Sequence, residues 1–186
     1  MPFFKSHNDK ASPGVLFAAY PDLYLPWSEM SELLMNGPSP LSQGEREMIL
    51  AYAAAVGDCN FVYIAHSAVA YAWGIEQGLI EKLIEDPETA PVSAKLKPLM
   101  AYVRKLMVTP SKMAQEDADA VFDAGWDETA LHHAIAITAR AAFMQRIVQG
   151  HGFIPMTRER ATERAEERKE LGYINLFPQF RDAKKT

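Results

Sequence analysis

A chain of 186 residues with 48% hydrophobic and 23% charged residues has the composition of an ordinary globular protein, long enough for one domain with a sizeable core. Its net charge of −5 argues against nucleic acid or an anionic membrane surface as a partner, and no apolar run reaches the ~18 residues of a membrane span. A single cysteine excludes an intrachain disulfide, and the opening MPFFKSHNDK lacks the continuous apolar stretch of a signal peptide, so a cytoplasmic location is expected.

Residues 1–13 are polar after Phe3-Phe4 and read as an extended arm. Apolar residues then recur at helical spacing over 15–34, interrupted by Pro21 and Pro26. That predicts two short helices, the second over 27–34 and closed at Met35-Asn36-Gly37. Gly37-Pro38-Ser39-Pro40 is a loop by composition. The next helix starts after Ser42, where Glu45 three residues on makes a capping box, and Gly57 is its natural C′ residue. Asp58 is a natural N-cap for the following helix. Cys59 is then expected in that helix's first turn, where the dipole lowers a thiol pKa.

Gly74 and Gly78 bracket a turn, a short helix covers 79–85, and Asp86-Pro87 closes it. The stripe Leu96, Leu99, Met100, Val103, Leu106 and Met107 predicts a helix over 93–107 that tolerates Pro98 near its start. Thr109-Pro110-Ser111 breaks the chain; 115–124 is helical, ending at Gly125. Asp127 caps a long helix to about Gly150 whose run ALHHAIAITARAAFMQRIV is apolar on most faces, so it should be central. From Thr157 the chain is highly charged and helical in propensity, with only Ala161, Ala165 and Leu171 as an apolar seam. The segment YINLFPQF beyond it is apolar and aromatic, which marks a contact surface on the core or on a neighbouring subunit. No stretch alternates with period two. The expected fold is all-α, with a helical domain and its N-terminal arm over 1–156 and a charged helix and apolar tail over 157–186.

At about 100° per residue, Cys59, Val62 and His66 share one face of their helix, continued by Val69, Ala70 and Trp73. On the preceding helix Glu47 shares a stripe with Leu50, Ala51 and Ala54. A carboxylate, a thiol and an imidazole are thus directed into the core, where an unpartnered carboxylate costs several kcal/mol or is protonated. Pairing across the two helices resolves this. Taken singly, the cysteine reads as a small buried hydrophobe and the histidine as a structural one. Tyr63 either donates a hydrogen bond near that site or packs between helices. The adjacent His132 and His133 diverge by about 100° and have no further ligands at metal spacing, so no metal is expected. His151 complements a helix C-terminus. No phosphate loop or dinucleotide fingerprint is present, and no cofactor is expected.

The residues Glu47, Cys59, Val62 and His66, with the Pro40-Leu41-Ser42 lead-in, the Gly78 turn and the Gly125-Trp126-Asp127 turn, resemble the alkylhydroperoxidase D / carboxymuconolactone decarboxylase superfamily. The resemblance covers roughly residues 13–153 and is strongest to its longer, peroxidase-related members. The redox branch of that superfamily carries a Glu, a Cys-x-x-Cys and a His one helical turn further on. Glu47, Cys59 and His66 match this pattern, and Val62 stands where the second cysteine would be. The resemblance implies a multi-helix orthogonal bundle with a C-terminal helical tail, and a homo-oligomer. It also implies a catalytic trio of Glu47, Cys59 and His66, with Val62 and Tyr63 lining the pocket.

Three functional readings follow from it. The first is a peroxiredoxin-type antioxidant protein acting on organic hydroperoxides. In the family, Glu and His relay protons to the thiols, one sulfur (usually the second) attacks the O–O bond, and the sulfenic acid is resolved as a disulfide. With Val62 in place, Cys59 alone would need an external thiol reductant. The second resembles the decarboxylase branch, with Glu47 and His66 as general acid and base on a small carboxylated lactone and Cys59 as pocket lining. The third is a non-catalytic helical oligomer.

Overall fold

A computed structural model describes residues 1–183; the end of the predicted tail, 184–186, lies outside the described residues. The chain forms α1 (Pro13–Ala19), α2 (Pro21–Asn36), α3 (Gln43–Val56), α4 (Asn60–Ala72), α5 (Leu79–Glu85) and α6 (Leu96–Val108). A single 3₁₀ turn, Pro110–Lys112, leads to α7 (Gln115–Asp123), α8 (Glu128–Gly150), α9 (Arg158–Glu163), α10 (Ala165–Leu171) and α11 (Pro178–Ala183). The fold is all-α, with no strand among the described residues.

α3 is the axis of the molecule. Its start is held by the predicted capping box: the Glu45 N–H donates to Ser42 Oγ at 3.2 Å, and the Ser42 N–H donates to Glu45 Oε2 at 2.8 Å. From Met48 to Ala54 every side chain is buried, so the helix is enclosed on all sides. Its small residues Ala51, Ala53 and Ala54 let α4 run closely along it, with α8 and α6 against other faces. α8 spans the bundle from a cap in which Asp127 Oδ1 accepts from the Ala130 N–H at 2.7 Å.

The α3–α4 junction differs from the sequence expectation in one respect that matters for the site. Asp58 takes a left-handed conformation, φ 59°. The Cys59 N–H donates to Ala54 O at 2.8 Å and the Asp58 N–H to Ala55 O at 3.0 Å, the paired bonds of a Schellman motif. Asp58 is therefore the C′ residue of α3, and Cys59 is the N-cap of α4. Gly57 instead makes room for neighbouring side chains: a Cβ there would lie 2.3 Å from Met107 Cε and 3.0 Å from Gln145 Oε1, so both ends would have to shift.

α2 is one continuous helix of 16 residues, not a short one over 27–34. Pro21 opens it at N1, and Pro26 removes one helical hydrogen bond, to the Asp22 carbonyl. Pro26 and Asp22 both face solvent, so water satisfies the freed carbonyl. The opposite face, Tyr24, Ser28, Ser31 and Met35, is buried and keeps the helix whole. The N-terminal arm is a series of turns, not extended; it docks on the end of α8, where the Phe3 N–H donates to His151 O at 2.9 Å.

The charged tail breaks at Arg164 into α9 and α10, which lie along α4. Ala161 and Ala165 pack with Ala68 in a small apolar cluster, while Leu171 is half-buried. The aromatic segment covers α1 of its own chain. Phe177 meets Phe17 edge-on at 4.5 Å, and Phe180, fully buried, lies against the same ring at 5.9 Å.

Because Asp58 holds a left-handed conformation that favours glycine, Asp58→Gly is expected to raise stability by about 0.5–1 kcal/mol, read as a higher thermal midpoint.

Candidate active site

α3 and α4 present Glu47 and His66 to each other, 4% and 7% exposed. Glu47 Oε2 and His66 Nδ1 are 2.7 Å apart. Burial alone would raise the Glu47 carboxyl, but the charge of His66 and hydrogen bonds from His66 and Tyr173 together hold it below its ordinary value. Burial also pushes His66 down, to about 4, against the pull of Glu47. Arg168 and Arg140 lower it further. Near neutral pH the pair is a carboxylate and a neutral imidazole. Nδ1–H donates to Glu47, and Nε2 carries the lone pair.

The second carboxylate oxygen is taken by the tail, where the Tyr173 hydroxyl donates to Glu47 Oε1. Its ring lies parallel to that of His66, with centroids 6.2 Å apart. Burial, and then the charge of Glu47, raise the phenol well above its usual value, so it stays a donor. Its backbone N–H donates to Glu32 Oε2 at 2.6 Å. Arg140 of α8 stands 4.4 Å from the Tyr173 ring and 4.9 Å from that of Trp27. Its Nε donates to Ser31 Oγ at 3.1 Å. Arg140 is only 5% exposed, yet Nη1 is buried without a partner among the described residues.

His66, Arg140 and Tyr173 open on a cavity of about 270 Å³, with Val62, Phe17 and Trp27 among its apolar lining. One wall is built by the tail, through Arg164, Arg168 and Phe177. On the other side of the pair, Glu47 faces a void of about 10 Å³, room for about one water.

Cys59 is elsewhere. It is 1% exposed in the apolar core, lines neither cavity, and contacts neither Glu47 nor His66 through any hydrogen bond among the described residues. Seven residues of helix separate it from His66, about 10 Å along the axis. Its thiol is raised, not lowered. Desolvation outweighs the backbone amides of Val62 and Phe61, and Asp58 adds a like charge. The helix N-terminus is real, but the sulfur is buried beneath it.

Tyr63 also lies away from the cavity. Its hydroxyl donates to Glu81 Oε1 at 2.7 Å; Tyr71 donates to the other carboxylate oxygen at 2.5 Å, and Arg158 pairs with Glu81 at 3.0 Å. The cluster fastens α9 to α4 and α5. His133 Nδ1 is hydrogen-bonded to Ser39 Oγ at 2.7 Å, while His132 is exposed. Among the described residues no three His, Cys, Asp or Glu side chains are grouped to hold a metal. Arg140 and Tyr173 escaped the sequence reading. The signals for them were a lone arginine inside the apolar run ALHHAIAITARAAF and the first residue of the aromatic tail.

No family model matches the sequence, and no curated protein matches it. Solved structures do. An uncharacterized peroxidase-related protein from Silicibacter sp. TM1040 superposes with a TM-score of 0.69 at 21% identity, covering 76% of this chain and 76% of its own. An alkylhydroperoxidase AhpD core structure, an uncharacterized peroxidase-related protein from Ralstonia eutropha JMP134, superposes with a TM-score of 0.70 at 21% identity, covering 77% of this chain and 76% of its own. The chain therefore has the alkylhydroperoxidase D core fold.

Proposed function

We propose that this protein is an acid–base enzyme acting on a small organic carboxylate. The observation that carries the reading is a neutral, Glu47-oriented imidazole on the wall of a cavity that is also lined by Arg140, a buried arginine whose Nη1 has no partner among the described residues. Arg140 binds the substrate carboxylate, while Phe17 and Trp27 enclose its apolar body. His66 Nε2 accepts a proton from the substrate, and Glu47 stabilises the imidazolium that forms. The same imidazolium returns the proton to the rearranged substrate, so the enzyme ends the cycle as it began. His66→Gln is expected to lower turnover about 10²–10⁴-fold with the fold retained. Benzoate, as a probe carboxylate, is expected to raise the thermal midpoint of the wild type but not of Arg140→Leu. A panel of carboxylates that neither binds nor turns over would count against the reading.

A second reading, peroxide reduction at Cys59, is supported by the peroxidase-related fold neighbours and by the amides of Phe61 and Val62 at the sulfur. The thiolate would attack the peroxide O–O bond, giving a sulfenic acid and an alcohol, and an added thiol would reduce it back. The two readings separate cleanly. Cys59→Ala leaves carboxylate turnover unchanged and abolishes any hydroperoxide consumption. Val62→Cys, which restores a second sulfur one turn away, raises hydroperoxide consumption only if the peroxidase reading is right.

The pH behaviour has a definite sign. The unfolded chain binds a proton at His66 near 6.5, the folded chain only near 4. Between those values the unfolded state binds more protons, so stability is lost as pH falls, by up to about 3 kcal/mol. Glu47, held below its ordinary value, contributes in the same direction at still lower pH. Denaturant unfolding at pH 7, 5.5 and 4.5 should show this progressive loss, reduced in His66→Gln. The acid limb of kcat/KM should fall near pH 4 and not near 6.5.

A further inference from the structure

The geometry points to Tyr173 as a positioning residue, carried in by the C-terminal segment, that sets the protonation of the Glu47–His66 pair; this rests on the acid–base reading above. Among the described residues only His66 and Tyr173 hydrogen-bond the Glu47 carboxylate, one on each oxygen. The phenol arrives from 126 residues away in sequence.

Several independent contacts hold it there. Gly172 sits at φ 64°, ψ −152°, a region open essentially to glycine alone, and a Cβ would lie 2.4 Å from Glu32 Oε2. That same Glu32 oxygen accepts the Tyr173 N–H, while Asn36 Nδ2 donates to its other oxygen at 2.9 Å. Lys169 Nζ donates to Ala72 O at 3.0 Å, tying the preceding helix to the end of α4. Arg140 covers the phenol ring. The segment is aimed, not merely packed.

A donor on Oε1 draws charge from the carboxylate and makes Oε2 a weaker partner for an imidazolium. Other charges face the pair. Arg46 on α3, Arg140 on α8, Arg164 at the break between α9 and α10, and Arg168 on α10 are all cations, and Lys169 lines the small void beside Glu47. They disfavour an imidazolium through space, but none of them hydrogen-bonds Glu47. The Glu32 carboxylate on α2 is engaged by Asn36 and the Tyr173 amide. Among the described residues Tyr173 is thus the one direct hydrogen-bond control on the carboxylate besides His66 itself.

The test is a histidine-ring NMR titration from pH 7.5 to 4, with the His66 signal assigned through His66→Gln. In Tyr173→Phe, which keeps the ring and removes the hydroxyl, the pair is expected to take up its proton about one pH unit higher than in the wild type. Glu32→Ala, which frees the segment without touching the pair, should shift the titration the same way by less. Asn175→Ala, an exposed position on the same segment, should leave it unchanged. An unaltered titration in a folded Tyr173→Phe overturns the proposal, as does an equal shift in Asn175→Ala. Should Tyr173→Phe fail to fold, Glu32→Ala decides alone, and no shift there overturns it. The readout is protonation and not turnover, so its failure and the failure of the acid–base reading are distinct results.

Discussion

The structure is arranged around one buried hydrogen bond, between Glu47 on α3 and His66 on α4. Taking a carboxylate out of water without partners costs several kcal/mol or protonates it. The fold avoids this by filling both oxygens with donors and placing arginines nearby. Each donor comes from a different element, which ties the capped start of α3, the helix α4 and the glycine-hinged entry of the tail to one another. Loosening any of them leaves a charge in the core half satisfied, and such a charge is worse than an apolar replacement.

The same constraint distributes the chemistry. Arg140 lies close to the rings of Trp27 and Tyr173 and lines the cavity, with Nη1 buried and unpartnered among the described residues. A guanidinium keeps its charge when buried, and two aromatic faces offset part of the cost of taking it out of water. Cys59 lies outside this arrangement. A thiol at a helix N-terminus is activated only while solvent or a cation lets its charge exist; under the Schellman turn at Asp58, desolvation dominates.

Much of this was legible in the chain. The capping box at Ser42, the cap at Asp127 and the short helix α5 follow from local rules and stand where those rules put them. The convergence of Glu47 and His66 followed from two apolar stripes that each carried one misplaced polar residue. What was not legible depends on long-range packing. Pro26 looks like a helix break, but a buried face on the other side of α2 overrides it. Asp58 looks like an N-cap, but the Schellman bonds to Ala54 and Ala55 claim it for α3 and move Cys59 by one position. Tyr173 and Arg140 come from segments far apart in sequence, and no local pattern links them to Glu47.

The two halves of the site differ in how they come together. α3 and α4 are consecutive and joined by three residues, Gly57, Asp58 and Cys59, so their contact is local and inexpensive in chain entropy. The tail closes a loop of more than a hundred residues, and that closure is rewarded only when Phe177, Phe180 and Tyr173 all find their places. The tail supplies the second donor to Glu47 and one wall of the cavity. The same segment lines the cavity through Arg164 and Arg168, and Arg168 is among the charges that lower the His66 imidazole. A fold shared with other proteins thus sets α3 beside α4, and the C-terminal segment adds Tyr173 and a cavity wall to the pair that these helices carry in this chain.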